Sequence, residues 1–522
     1  MLFNSLTFVV FVIVTFALYY LPPCRRFQVP ILVLASFIFY AWSSPILLLL
    51  LVLSIVLNVL ASYKIVRGQG KTRIPWAILG IAINLMILGT FKYAGLLASF
   101  FLNTFGIDPE LSNSGTIDVL LTLPLPVGIS FYTFQGMSLV IDVLRNPEGT
   151  DRDREIQEKY FRQLTPLRYC LNTCFFIAFF PQLVAGPIVR ANSFYPQIEP
   201  KYFASIPWGI VFRSITVGYF LKMFVADNLK DYTFWITYPY YQSLGTSTNL
   251  VLLFGYSMQI FADFAGYSLI AIGIAAGFGY TLPDNFNFPY ISRSISEFWR
   301  RWHISLSTWL RYYLYIPLGG NRKGKIRTYV NLIVVMTLGG LWHGAAWSYA
   351  VWGLFHGIGL AIERLLGLDE KSLKQKTFKH HQQNLTSESN QFIFWKEFII
   401  DLVRVLSVFS FVSFGWLLFK LSRFEQALDF LHALWKNYHI PPTLIYIVPT
   451  LIFALPVAIY HLLYFPILYF PTLMRGKRES SDRFPPLMAK LSTPIADLTF
   501  GTMLALILLN SGSANEFIYF QF

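Results

Sequence analysis

The chain has 522 residues, of which 55% are hydrophobic, 18% aromatic and only 13% charged. Its mean hydropathy is +0.52, and soluble domains carry about 25% charged residues, so the composition excludes a soluble protein and predicts an all-α polytopic membrane protein. The net charge of +14 is not a nucleic-acid signal, because most basic residues fall in short loops between apolar spans; the expected partner is the lipid bilayer.

In chain order, apolar spans are predicted near 3–21, 29–42, 45–63, 74–101, 118–143, 169–190, 206–225, 248–279, 328–363, 399–420, 444–470 and 487–511. That gives roughly ten to twelve membrane segments, a span needing about 20 apolar residues. The first segment lacks a basic leader and a small-residue cleavage site, so it reads as a transmembrane helix and not a cleaved signal. Arg25–Arg26, Lys64 to Arg73 and Arg322 to Arg327 are expected on the cytoplasmic side. This places the N-terminus outside a multi-pass protein of the cytoplasmic (inner) membrane. The segments 248–279 and 328–363 exceed one span, and Gly339–Gly340 and Gly353 are the expected break points. Residues 1–522 are expected to form a single transmembrane domain, with a flexible polar loop at 367–395. Cys24, Cys170 and Cys174 make no disulfide framework and no metal-ligand pattern, and read as small buried side chains.

The stretch 291–327 is expected to be an amphipathic interfacial or cytoplasmic region. Read as one helix from Ser296 to Tyr313, it aligns Trp299, Trp302, Leu306, Trp309 and Tyr313 on one face, with Arg300, Ser307 and Arg311 on the other. Such a helix suits a membrane surface. His303 lies beside the aromatic stripe. A second histidine, His343, stands in the apolar sequence GGLWHGAAW. An ionisable group at membrane depth is costly and calls for a functional explanation. Trp342 and Trp347 are candidates to wall off His343, and burial favours the neutral imidazole that a general base needs. A structural histidine bonded to a neighbouring helix is the alternative. His303 and His343 become neighbours only if the chain folds back. Asp263, inside FADFAGYS, is expected to pair with a basic or histidine side chain, whether as a structural ion pair or in a direct role. His356 reads as part of the packing. There is no P-loop, no G-x-S-x-G elbow and no Cys–His pair placed for nucleophilic chemistry.

Five segments, FFPQLVAGPIVR (179–190), FADFAGYSLIAIGIAAGFGYTLPDNFNFPY (261–290), SISEFWRRWHISLSTWLRYYLYIPLGGNRKG (294–324), LGGLWHGAAWSYAVWGLFHG (338–357) and FIYFQF (517–522), resemble the membrane-bound O-acyltransferase family. SFYTFQGMSLVIDVLR (130–145) is similar to the branch that O-acetylates bacterial alginate. The resemblance implies a ring of tilted helices around a thin centre, pierced by a tunnel. It implies that His343 is the catalytic residue and that His303 belongs to the donor-side mouth, with Trp302, Trp342, Trp347 and Asp263 as tunnel candidates. It implies no bound cofactor and no metal. The donor would be a cytoplasmic acyl thioester, on coenzyme A or an acyl carrier protein. The acceptor would be an extracytoplasmic polysaccharide hydroxyl, reached directly or through a periplasmic acetyltransferase partner, with acetyl as the expected acyl group. Phe419-Lys420 stands where relatives often carry Phe-Arg, which puts in doubt any bidentate role of that arginine. A secondary transporter or flippase would also explain many spans and buried polar groups, and a scaffold of a polysaccharide-modifying complex is a third reading.

Overall fold

The computed structural model describes residues 1–42, 44–105, 125–145, 155–184, 186–370, 372, 390–421, 423–469, 493–512 and 517. The described residues are helical and contain no strand. Seven helices among them are long and apolar enough to cross a membrane: 22–41, 45–67, 70–102, 208–236, 246–277, 398–420 and 444–464. Three shorter apolar helices, Leu6–Tyr20, Ile129–Leu144 and Asp497–Leu509, bring the tally to the lower end of the ten to twelve expected. Most of the polar loop 367–395 and of the terminal hexapeptide lies outside the described residues.

Two compact units emerge. The first takes Met1–Ile215 and Tyr267–Pro283. Its helices Pro45–Arg67, Arg73–Leu88 and Ile129–Leu144 are joined by buried polar contacts where no water competes. Asn84 Nδ2 donates to Asn58 Oδ1 at 2.8 Å, and Arg73 Nε donates to the Ile65 carbonyl at 3.0 Å. Gly136 lies against the Asn58 amide, 2.6 Å from where a Cβ would stand, so only glycine permits this crossing. Phe3 stacks on Phe8 and on Tyr267, at 4.5 and 4.3 Å. The three cysteines are free; Cys170 is exposed and Cys24 and Cys174 are half-buried, contrary to the expectation that all three are buried. Cys170 occupies the outward face of the helix Pro166–Ala178.

The second unit takes Thr216–Gly266 and Asp284–Ile518 and holds every candidate site residue. The two long segments behave differently. Thr246–Gly277 is one unbroken helix of 32 residues, and its most apolar window is 94% buried. The other is a hairpin of Lys325–His343 and Trp347–Leu365. The chain breaks immediately after His343, and not at Gly339–Gly340 or Gly353 as the sequence suggested. Those glycines do a different job. A Cβ on Gly340 would strike the Tyr349 carbonyl, and one on Gly353 would strike the Met336 carbonyl. They let the two arms of the hairpin pack backbone to backbone, which small residues permit in membrane helices.

Candidate active site

The helix expected from Ser296 to Tyr313 is two helices, Ile295–Arg301 and Ile304–Leu310. The break falls at Trp302–His303, where His303 adopts left-handed backbone angles of φ 43° and ψ 54°. A non-glycine residue there is uncommon and has to be held. The segment 285–287 holds it. The Asn285 carbonyl accepts from the Ile304 N–H at 3.0 Å, and the Asn287 N–H donates to the Arg301 carbonyl at 2.9 Å. Asn285 Oδ1 accepts from Ser305 Oγ at 2.6 Å and from the Ser305 N–H at 3.3 Å. It also stands 3.4 Å from His303 Nδ1. These contacts replace the hydrogen bonds that a continuous helix would make for itself.

The start of the first short helix is capped by a carboxylate. Glu363 accepts from the backbone N–H groups of Ile295 and Ser296, where the helix dipole favours negative charge. Around it, Arg301 pairs with Glu297 at 2.8 Å, Arg293 with Asp401 at 3.1 Å, and Arg300 with Glu370 at 2.6 Å. Burial raises the Glu297 carboxyl, but the Arg301 guanidinium, the Arg293 N–H and the Arg293 charge outweigh it and hold the group below the usual carboxylate range.

From this charged end the short helix runs into the unit. Trp299 Nε1 donates to His356 Nδ1 at 3.3 Å, so His356 is part of the packing, as expected. Trp302 is buried against Trp416, with ring centroids 4.9 Å apart. The aromatic stripe is therefore kept, but it faces protein: Leu306, Trp309 and Tyr313 are also buried. The surface-lying helix is corrected to a broken segment that enters the core, because the Asn285 contacts supply its backbone groups away from water.

His303 is fully buried and His343 is 4% exposed. Forty positions apart, their ring centroids lie 6.2 Å apart. Trp342 lies 6.0 Å from His303 and 5.1 Å from His343. Trp352 and Phe419 meet His343 edge-on at 5.3 and 5.5 Å. Phe264 meets His303 edge-on at 4.6 Å. The structure thus brings together His303, His343 and Trp342, while Trp302, next to His303 in the chain, packs on Trp416. Trp347 opens the next helix and is 52% exposed. Trp352 and Phe419, which the sequence reading did not single out as walls, line His343. Both stand at positions where an apolar residue is expected for packing alone.

Asp263 finds the basic partner expected of it. Lys222 Nζ lies 2.7 Å from Asp263 Oδ1 and 2.8 Å from Asp227 Oδ1, with all three side chains buried. Lys222 was missed, although the reasoning that singled out an acid in one apolar span applies equally to a lysine in another. Among the described residues, no group of three or more His, Cys, Asp or Glu side chains is placed to hold a metal ion.

The chain matches the model of the membrane-bound O-acyltransferase family over residues 112–368. It is 38% identical to the probable alginate O-acetylase AlgI of Pseudomonas putida over 378 residues, covering 71% of this chain and 72% of that protein. The chain belongs to the membrane-bound O-acyltransferase family. It is also 35% identical over 417 residues to the peptidoglycan O-acetyltransferase of Helicobacter pylori, covering 77% of this chain and 73% of that one. The teichoic acid D-alanyltransferase of Bacillus subtilis is 32% identical over 244 residues, covering 44% and 57%. As a membrane-bound O-acyltransferase the protein is an acyl-transfer enzyme, and His303, His343, Trp342 and Trp352 lie inside the matched region, whereas Phe419 lies beyond it. An aromatic enclosure of this kind excludes water, which would otherwise compete with a hydroxyl for an acyl group.

Proposed function

We propose that this acyltransferase moves an acyl group, acetyl by preference, from a thioester donor at its basic end to a hydroxyl of a polysaccharide on the opposite side of the membrane. The observation that carries the reading is the convergence of His303 and His343 within one ring of tryptophan and phenylalanine. The basic end supports the donor's side. Arg322, Lys323, Lys325 and Arg327 are exposed in the turn and helix start there, and exposed basic side chains suit the phosphates of coenzyme A or of a carrier-bound pantetheine. Relatives in the comparison carry names for O-acetylation of alginate and of peptidoglycan, which supports a polysaccharide acceptor. A periplasmic acetyltransferase that receives the acyl group first is the variant of this scheme in which the final transfer is indirect.

In this scheme neutral His343 accepts the proton of the acceptor hydroxyl as its oxygen attacks the thioester carbonyl. The tetrahedral intermediate collapses by breaking the C–S bond. The leaving thiolate takes the proton from the His343 imidazolium, so one ester and one thiol form from one alcohol and one thioester. His303, held by Asn285 and Phe264, sits on the donor side of His343 and orients the thioester. Trp302 and Trp342 exclude water, and Asp263 fixes the surrounding helices through Lys222.

The test is release of free thiol by purified protein supplied with an acetyl thioester and a soluble oligosaccharide. Thiol release that requires acceptor and is lost in His343→Gln supports the reading. Movement of substrate without thioester cleavage would instead identify a transporter.

A further inference from the structure

Trp352 belongs to the helix Trp347–Leu365, whose Gly353 packs against Gly340 in the helix that ends at His343. This backbone-to-backbone crossing sets the Trp352 indole beside the imidazole, with ring centroids 5.3 Å apart and ring planes at 90°. Trp352 is 1% exposed, and its Nε1–H has no hydrogen-bond partner. Buried polar groups are nearly always matched, so a bare donor beside the proposed catalytic base calls for an explanation.

The rings around it explain why no acceptor is at hand. Trp299 lies 5.6 Å away, Trp416 5.7 Å, Phe419 5.6 Å and His356 4.9 Å. The side chains of Trp299, Trp416 and Phe419 carry no acceptor atom. Neutral His356 carries one, but Trp299 Nε1 already donates to its Nδ1 at 3.3 Å. That contact leaves Nε2 of His356 as its protonated nitrogen, a further donor. The two indoles therefore differ: Trp299 commits its N–H to His356, and Trp352 keeps its own. An indole N–H donates and does not accept, so it takes no part in carrying the hydroxyl proton. What it can do is stabilise an oxygen on which negative charge develops.

We propose that Trp352 is the oxyanion donor of the transfer step, its indole N–H meeting the carbonyl oxygen of the acyl thioester beside His343. The inference rests on the transferase reading above and adds the group that receives the developing charge. As the acceptor oxygen bonds to the thioester carbon, the carbonyl π pair moves onto the carbonyl oxygen. Trp352 donates a hydrogen bond to that oxyanion and keeps its proton. The pair returns as the C–S bond breaks, and the leaving thiolate takes the proton held by His343. A donor fixed in place and shielded from water needs no reorganisation at the moment of reaction, which is what makes such a contact effective.

The experiment measures acceptor-dependent thiol release from an acetyl thioester by three full-length proteins: the wild type, Trp352→Phe, and protein carrying at position 352 the tryptophan isostere whose ring nitrogen is replaced by sulfur. The isostere keeps the size and shape of the indole and lacks only the N–H, so it decides the matter even where Trp352→Phe disturbs folding. Both variants are expected to lose about a hundredfold or more in kcat, since removing one oxyanion donor costs about 10²–10³. Both KM values should change little, the pattern of a contact made only in the transition state. Wild-type kcat in the isostere overturns the proposal and leaves Trp352 a wall of the enclosure. A rise in KM at unchanged kcat overturns it as well, because it marks ground-state binding. Absence of thioester turnover in the wild type defeats the transferase reading and the donor with it, whereas turnover that the isostere leaves intact defeats the donor alone.

Discussion

Asn285 and His303 are eighteen residues apart, and one side-chain oxygen of the first spans the break at which the second sits. Asn285 Oδ1 takes hydrogen bonds from Ser305 Oγ and Ser305 N–H and lies 3.4 Å from His303 Nδ1. Asn285→Ala removes the acceptor and leaves buried donors unmatched, at about 1–3 kcal/mol each. The expected result is lowered thermal stability in detergent and at least about a tenfold loss of thiol release, from a displaced ring of about 1 Å. Asn285→Asp, which keeps the oxygen, should lose less.

The hairpin that presents His343 depends on Gly340 and Gly353. Gly340→Ala forces a methyl into the Tyr349 carbonyl, and overpacking of this kind costs about 1–3 kcal/mol. Gly209→Ala, where no atom lies within 4 Å, serves as the control and should shift the thermal midpoint far less. The paired thermal-unfolding curves check this.

Lys222 balances two buried carboxylates. Lys222→Met should destabilise the protein by about 3–5 kcal/mol, the cost of leaving a buried charge uncompensated. Adding Asp263→Asn should recover part of that loss. A double-mutant cycle measures the coupling, and strictly additive effects would contradict the triad.

Glu297 gives a pH dependence with a definite sign. Its folded carboxyl titrates below the usual range, while the unfolded group titrates near about 4.3. Its stabilising contribution is therefore fully present above that value and is lost as pH falls through the folded one. Thermal stability should drop below about pH 4, and Glu297→Gln should remove that acid step at the cost of lower stability near neutrality.

The sequence was informative where one residue type in one environment carries the message. A histidine and an acid inside apolar spans are expensive, and His343 and Asp263 stand out on that ground alone. The helical nature of nearly every segment followed from apolar length. The break at His303 was not legible, because 3.6-residue periodicity continues through Trp302 and Leu306 as though the helix were whole. What interrupts it is Asn285, a long-range partner whose setting, LPDNFNFPY, signals only a turn. Trp352 and Phe419 were hidden for a related reason: an aromatic residue in a membrane helix looks the same whether it faces lipid or a histidine. The hairpin glycines were recognised but misread, since close packing and helix breaking draw on the same residue.

The central claim is acyl transfer at His343 from a donor on one side of the membrane to an acceptor on the other. Its most direct measurement uses sealed proteoliposomes with radiolabelled acetyl thioester outside and oligosaccharide trapped inside, reading label on the trapped sugar for protein inserted with its basic end outward. Wild-type protein should label the sugar, and His343→Ala should reduce labelling by about a hundredfold or more, the contribution of a positioned general base. Full labelling by His343→Ala would contradict the account.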